Sequence, residues 1–172
     1  MKIKYDVLSL DLLNRIDEEM WDSKINFCWC SSYFAWESQL NSGVMGNVLI
    51  KPLSDKLENL VIEEIKSYVP FYKHIKISCN LWLPNSAISC HDDAHTSWAA
   101  TIYLNEEWNP DLGGWFMWKE TGDIWKSISP KRNLMILNHN HQMHCVTPVV
   151  HDSPHPRRSL QIWGTELDEF MI

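Results

Sequence analysis

No run of apolar residues in this sequence is long enough to cross a bilayer as a helix. Nothing at its start reads as an export signal. Met1-Lys2-Ile3-Lys4-Tyr5-Asp6 leads to Asp11 without an apolar core or a small-residue cleavage site. Positive charge is in deficit: the formal net charge is -7, which argues against a nucleic-acid or anionic-membrane surface. No second cysteine pair accompanies Cys28-x-Cys30, which argues against a zinc knuckle there. Cys28, Cys30, Cys79, Cys90 and Cys145 form an odd set without a secretory signal, so they read as free thiols of a cytoplasmic protein. Repeats, low-complexity tracts and Pro/Gly/Ser linkers are also missing, so residues 1–172 read as a single domain.

What is present is a hydrophobic share of 45%, enough for a packed core. Ten tryptophans suit a β-rich interior and the wall of a substrate cavity. The front of the chain, about 9–70, predicts helices. Leu12, Leu13, Ile16 and Met20 recur at helical spacing behind Ser9 or Asp11 as a cap. Leu57, Leu60, Val61, Ile65, Tyr68 and Val69 make a second stripe, with Ser54 as cap and Pro70 as stop. Residues 26–50, with aromatics, Gly43 and Gly46, predict short strands and turns, and are long and aromatic enough for a lid. From about 71 to 165 the pattern turns to period two. Eight short strands are predicted, near 75–79, 87–91, 97–104, 115–118, 123–128, 133–138, 144–150 and 158–163. That spacing favours a sandwich or jelly roll, with the helices covering one sheet.

Chemistry concentrates in His91-Asp92-Asp93, His144 and Arg157. In an extended segment, residues i and i+2 point the same way. His91 and Asp93 can then face inward together, and a distant strand can bring His144 to them. Two imidazoles and a carboxylate on one face of an octahedral metal leave about three positions open, the arrangement of non-haem iron(II) oxygenases. His95, His139, His141, His151 and His155 remain rival ligands. His91 and His95 have the helical zinc spacing, but the Glu of H-E-x-x-H is missing. Arg157, Ser159 and Gln161 share one strand face, while Leu160 and Ile162 share the other and need cover from the helices. An inward arginine needs an anion; a carboxylate can pair with its fork, and a hydroxyl two residues on can add a bond. Arg158 is the rival for that role.

The stretch from about Leu81 to Gly164 resembles the 2-oxoglutarate/iron(II)-dependent dioxygenase superfamily, especially its prolyl 4-hydroxylase-like branch. The likeness lies in His91-x-Asp93, Ala100-Thr101-Ile102-Tyr103-Leu104-Asn105, Gly113-Gly114, Ile128-Ser129-Pro130-Lys131, His144-Cys145-Val146-Thr147-Pro148-Val149 and Arg157-x-Ser159-Leu160. The resemblance implies a mainly β fold, a double-stranded β-helix (jelly roll), with the N-terminal helices packed on one sheet. It favours His144 over His139 and His141, and implies iron(II) on His91, Asp93 and His144. It also implies that 2-oxoglutarate chelates the metal while its far carboxylate meets Arg157, with Ser159 assisting. Dioxygen is the other cosubstrate and ascorbate an optional stimulant. Trp82 stands near a position where the family often has tyrosine, and an indole cannot copy a phenol, so Tyr103 or Thr101 is expected to supply that bond. Asn133 and Asn138 stand where the family often has Gly and an aromatic. Many prolyl hydroxylases anchor the cosubstrate with lysine, so Arg157 points to a neighbouring subgroup.

The expected reaction is hydroxylation of an aliphatic carbon, on a prolyl or other peptide side chain, a free amino acid or another small metabolite. Nucleic-acid demethylases of the superfamily fit less well, because Trp163 stands where they carry a further arginine. A cupin-like metal protein and a non-catalytic jelly-roll binding module are the alternatives, the first weakened by the absence of H-x-H with a following Glu. The sequence is silent on oligomeric state.

Overall fold

The computed structural model describes residues 1–22, 28–36, 40, 42–70 and 73–165. Among these, twelve strands form two sheets. The larger contains β1 (Lys2–Tyr5), β2 (Cys30–Ser31), β4 (Val48–Pro52), β5 (His74–Trp82), β7 (Trp98–Tyr103), β10 (Leu134–Asn138) and β12 (Arg157–Thr165). Its order is β1-β10-β7-β12-β5-β4-β2. The smaller runs β3 (Val44–Met45), β6 (Ala87–His91), β11 (His144–Val146), β8 (Phe116–Lys119) and β9 (Trp125–Ile128). Every pairing of these strands is antiparallel. Neighbours in a sheet are mostly distant in sequence, as in a jelly roll. β5 to β12 are the eight strands that the period-two pattern predicts.

Alternation along β12 explains the layering. Leu160 and Ile162 join one apolar cluster with Leu12, Ile16, Leu57 and Val61, the buried stripes of the front helices. Trp163 joins a second cluster, between the sheets, with Trp36, Trp82, Phe116 and Val146. The helices α1 (Leu10–Trp21) and α3 (Asp55–Ile65) therefore cover the outer face of the larger sheet, and the opposite face is left for the cavity. α2 (Ser32–Ala35) is a single turn.

α1 and α3 hold each other's ends. Ser9 caps α1, and its backbone N and Oγ also donate to the Glu64 carboxylate, at 2.6 and 2.8 Å. Ser54 stands at the N-cap of α3, but its side chain makes no capping bond to its own helix. Its N and Oγ donate instead to Glu19 of α1, both at 2.6 Å. α3 also stops at Ile65, short of the predicted Pro70. Tyr68 and Val69 turn back to the Ile65 carbonyl, and a residue preceding proline is disfavoured in a helix.

Two further differences are informative. β1 was not legible as a strand, because three of its four residues are exposed and only pairing with β10 defines it. Asn133, where the family often has Gly, adopts φ +61, the left-handed region that asparagine tolerates. Its side chain then grips both backbone polar groups of Leu8, at 2.9 and 2.7 Å. Of the predicted lid segment 26–50, residues 26–27, 37–39 and 41 lie outside the described residues. No described helix is long and apolar enough to cross a membrane.

Candidate metal and cosubstrate site

β6 and β11 are neighbours in the smaller sheet, and their register sets His91 opposite His144. Each imidazole gives Nδ1 to a carbonyl on its own segment: His91 to Ser89 at 2.8 Å, His144 to Gln142 at 2.9 Å. That fixes the tautomer and leaves both Nε2 atoms free to ligate. Asn138 steadies the second contact by donating to the Gln142 carbonyl and accepting from its N–H, at 3.1 and 2.9 Å. Phe116 stacks on the His144 ring at 5.1 Å.

Asp93 reaches the same point by a different route from the one its spacing suggests. β6 ends at His91, and Asp93 sits beyond it with φ +56. Its turn is closed by the Thr96 backbone N and hydroxyl, which both donate to the Asp93 carbonyl, at 2.9 and 3.1 Å. The left-handed residue turns the carboxylate inward, where its oxygens stand 3.5 Å from His91 Nε2 and 3.2 Å from His144 Nε2. Ligand atoms of the three residues all lie within 4.8 Å of one another, the spacing of a metal site. Among the described residues, His95, His139, His141, His151 and His155 join no such group.

Protonation follows from burial and contact. Burial, then the charge of His144, lowers the pKa of His91. Burial opposes ionisation of Asp93, but the hydrogen bond and charge from His144 outweigh it and hold the carboxyl below its usual range. Burial also opposes charging of His144, yet the same contact with Asp93 prevails and raises its pKa.

The larger sheet supplies the opposite pole. Arg157 is only 1% exposed. Its guanidinium carbon lies 4.9 Å from the ring centroids of both Trp82 and Tyr103. One terminal nitrogen donates to the Tyr103 hydroxyl at 3.5 Å, while Nε and Nη1 have no partner among the described residues. Ser159 Oγ, on the same strand face, is likewise buried without a partner. Orphaned buried donors are costly, and these are what the far carboxylate of a keto acid would satisfy. Gly114 makes room for the Arg157 stem. Gly114 has φ +65, and a Cβ there would stand 2.8 Å from Arg157 Cδ. Arg158 points the other way, into an ion pair with Asp17 of α1 at 2.6 Å.

Between these poles lies a small cavity. Its wall includes the three ligand residues, Arg157 and Trp82. Thr101 and Gln161 also line it, and the Thr101 hydroxyl donates to Gln161 Oε1 at 2.8 Å. Tyr103 and Ser159 are buried alongside rather than in the wall. Sequence reasoning missed Phe116, Trp36 and the Asn138–Gln142 clamp. Gln161 was legible as inward-facing through its parity with Arg157, but not as the partner of Thr101.

A sequence profile of the 2OG-Fe(II) oxygenase superfamily matches residues 75–165, the span that carries both poles. This chain belongs to that superfamily. As a 2-oxoglutarate-dependent oxygenase, it takes iron(II), 2-oxoglutarate and dioxygen, and the residues above fit the first two. Solved structures agree in fold. A prolyl-4-hydroxylase from Pseudomonas putida has TM-score 0.68 at 16% identity, covering 96% of this chain and 92% of that one. A Trichoplax adhaerens prolyl hydroxylase, solved with a hypoxia inducible factor peptide fragment, has TM-score 0.68 at 14% identity, covering 96% and 83%. A viral collagen prolyl hydroxylase from Paramecium Bursaria Chlorella virus-1, solved with 2OG, has TM-score 0.63 at 11% identity, covering 96% of each. No curated protein sequence matches this oxygenase.

Proposed function

We propose that this oxygenase hydroxylates an uncharged aliphatic carbon on a peptide side chain, prolyl being the first candidate. His91, Asp93 and His144 hold iron(II), Arg157 and Ser159 hold the far carboxylate of 2-oxoglutarate, and Tyr103 orients the guanidinium. Trp82 stacks on Arg157, and Thr101 serves the cosubstrate through Gln161. The observation that carries this reading is one cavity with three converging ligand atoms at one pole and, at the other, a buried guanidinium with two nitrogens that meet no partner among the described residues. Iron(II), when bound with 2-oxoglutarate, supplies oxidative decarboxylation and oxygen transfer. The protein's part is to hold the three ligands on one face, orient the keto acid and exclude water.

The wall argues for the substrate class. Among the described lining residues, the only ionisable ones are the three ligands and Arg157. Trp36, Ile88, Phe116, Val146 and Trp163 make the rest largely apolar. A free amino acid would bring an ammonium and a carboxylate with no counter-charge there. A neutral side chain presented by a peptide brings neither. The hydroxylase neighbours, two of them named for peptide or collagen chemistry, support the same choice. The acidic balance and Trp163 weigh against nucleic acid. Residues 1–172 acting as one domain and a cytoplasmic location complete the proposal; the latter is supported by five cysteines that are all free.

The test mixes anaerobic protein with iron(II) and 2-oxoglutarate, reads the visible charge-transfer band, then admits dioxygen with and without proline-containing peptides. The expected result is a band, succinate, and more succinate with peptide than with free proline. Folded protein that gives neither band nor succinate would overturn the reading.

A further inference from the structure

Cys90 and Cys145 play no part in the site described above, yet each is the chain neighbour of a metal ligand. Cys90 precedes His91 on β6, and Cys145 follows His144 on β11. These strands pair with His144 opposite His91 and Val146 opposite Ile88. Two residues of β6, Ser89 and Cys90, therefore oppose the single Cys145, which is a β-bulge. Successive side chains on a strand point to opposite faces. With both histidines turned into the cavity, their cysteine neighbours turn to the outer face of the smaller sheet. Cys90 is exposed and Cys145 half-buried there, whereas Cys79 is fully enclosed. The Cys90 side chain is in contact with that of Cys145. Regular antiparallel partners have Cα atoms about 4.5–5.5 Å apart, a disulfide spans roughly 4.4–6.8 Å, and the bulge brings Cys90 and Cys145 side by side without a regular pairing.

We propose that Cys90 and Cys145 are a modification site, closing a reversible disulfide across the two histidine-bearing strands, and that the oxidised form holds its metal more weakly. The oxidant is a low-molecular-weight disulfide such as glutathione disulfide. The exposed Cys90 sulfur attacks one sulfur of the oxidant, giving a mixed disulfide and one free thiol. The Cys145 sulfur then attacks the Cys90 sulfur and expels the second. Two protein thiols are oxidised, one external disulfide is reduced, and the two protons pass to the departing thiols. The bond pins the bulge, and His91 and His144 are the residues on either side of it. A metal site depends on such supporting geometry. Coupling of this kind is reciprocal, so bound metal favours the reduced pair by the same factor.

The disulfide half of the proposal is independent of the function proposed above; the metal half rests on that ligand set. The full chain is incubated with glutathione disulfide, alkylated, digested and mapped by mass spectrometry. The expected product is one peptide pair joining Cys90 to Cys145, two hydrogens lighter than its reduced parts and restored by dithiothreitol. Anaerobic titration with cobalt(II) as probe should then show binding weaker by roughly tenfold in the oxidised protein. Cys90→Ser and Cys145→Ser should bind cobalt(II) like the reduced wild type and lose the response to oxidant. A map with only glutathione adducts or other pairings overturns the proposal, and so does a Cys90–Cys145 link with unchanged cobalt(II) binding. Reduced protein that binds no cobalt(II) overturns the ligand set and the metal half with it, while the map still judges the disulfide.

Discussion

Arg157 concentrates the chemistry of the larger sheet in one side chain. Its stem passes Gly114, its plane lies between Trp82 and Tyr103, and two of its nitrogens are buried without partners. Hydrogen bonds to a charged group contribute about 1.5–3 kcal/mol each. Arg157→Ala should therefore weaken 2-oxoglutarate binding by about one to two orders of magnitude, leaving cobalt(II) binding intact in anaerobic titrations. Arg157→Lys keeps charge but loses the fork, and should fall between. Arg158→Ala should leave the cosubstrate titration unchanged, because that guanidinium serves Asp17. At the metal pole the prediction concerns pH. Burial lowers the pKa of His144 but contact with Asp93 outweighs it, so in the metal-free protein the charged pair's contribution is complete below His144's ordinary value of about 6.5 for as long as Asp93 stays ionised. It is lost as pH rises through the raised value. A metal needs the neutral imidazole and must displace that proton. Cobalt(II) affinity should fall on acidification, with proton release detected by calorimetry in buffers of different ionisation enthalpy. Parity along β12 was enough to tell Arg157 from Arg158, since Leu160 and Ile162 needed the helix side. The inward Asp93 was right in direction and wrong in cause: a left-handed turn leaves no trace in a pattern that counts alternation. Phe116 and the Asn138–Gln142 clamp are set by contacts across strands, which spacing along one strand cannot reveal.

The two helices show why element boundaries were harder to read than element existence. Their apolar stripes were plain, because burial against Leu160 and Ile162 imposes the helical period. The caps Ser9 and Ser54 were legible too, but the end of α3 at Ile65 was not, nor that each cap is held by the other helix: Glu64 holds Ser9, and Glu19 holds Ser54. Lys51 adds a third tie, donating to the Glu19 and Met20 carbonyls at the end of α1, at 2.9 and 3.2 Å. Loss of a cap typically costs about 0.5–2 kcal/mol. Glu19→Gln and Glu64→Gln should each lower the urea midpoint by a shift in that range without changing its slope. Because both contacts join the same helix pair, the double variant should lose less than the sum of the singles. Strict additivity would mean that the caps act as two independent local contacts.

The proposed metal ligands and the proposed cosubstrate anchor belong to different sheets, and this sets the logic of the whole molecule. His91 and His144 stand on the smaller sheet, with Asp93 in the turn that leaves it for β7. Arg157, Ser159 and Tyr103 stand on the larger sheet. A metal alone therefore ties strands within one layer, while a keto acid chelated to it and paired with Arg157 would join the two layers across their shared cluster. Ligands that bind only the folded state stabilise it by about 2.7 kcal/mol at a hundredfold excess over Kd. Metal should raise Tm on its own; 2-oxoglutarate should raise it strongly only after metal, and EDTA should remove both increments together. The Arg157→Ala protein should keep the first increment and lose most of the second. If 2-oxoglutarate stabilised metal-free protein as fully as the metal-loaded form, the two poles would be acting separately, and the cavity between the sheets would not be the place where the keto acid bridges them.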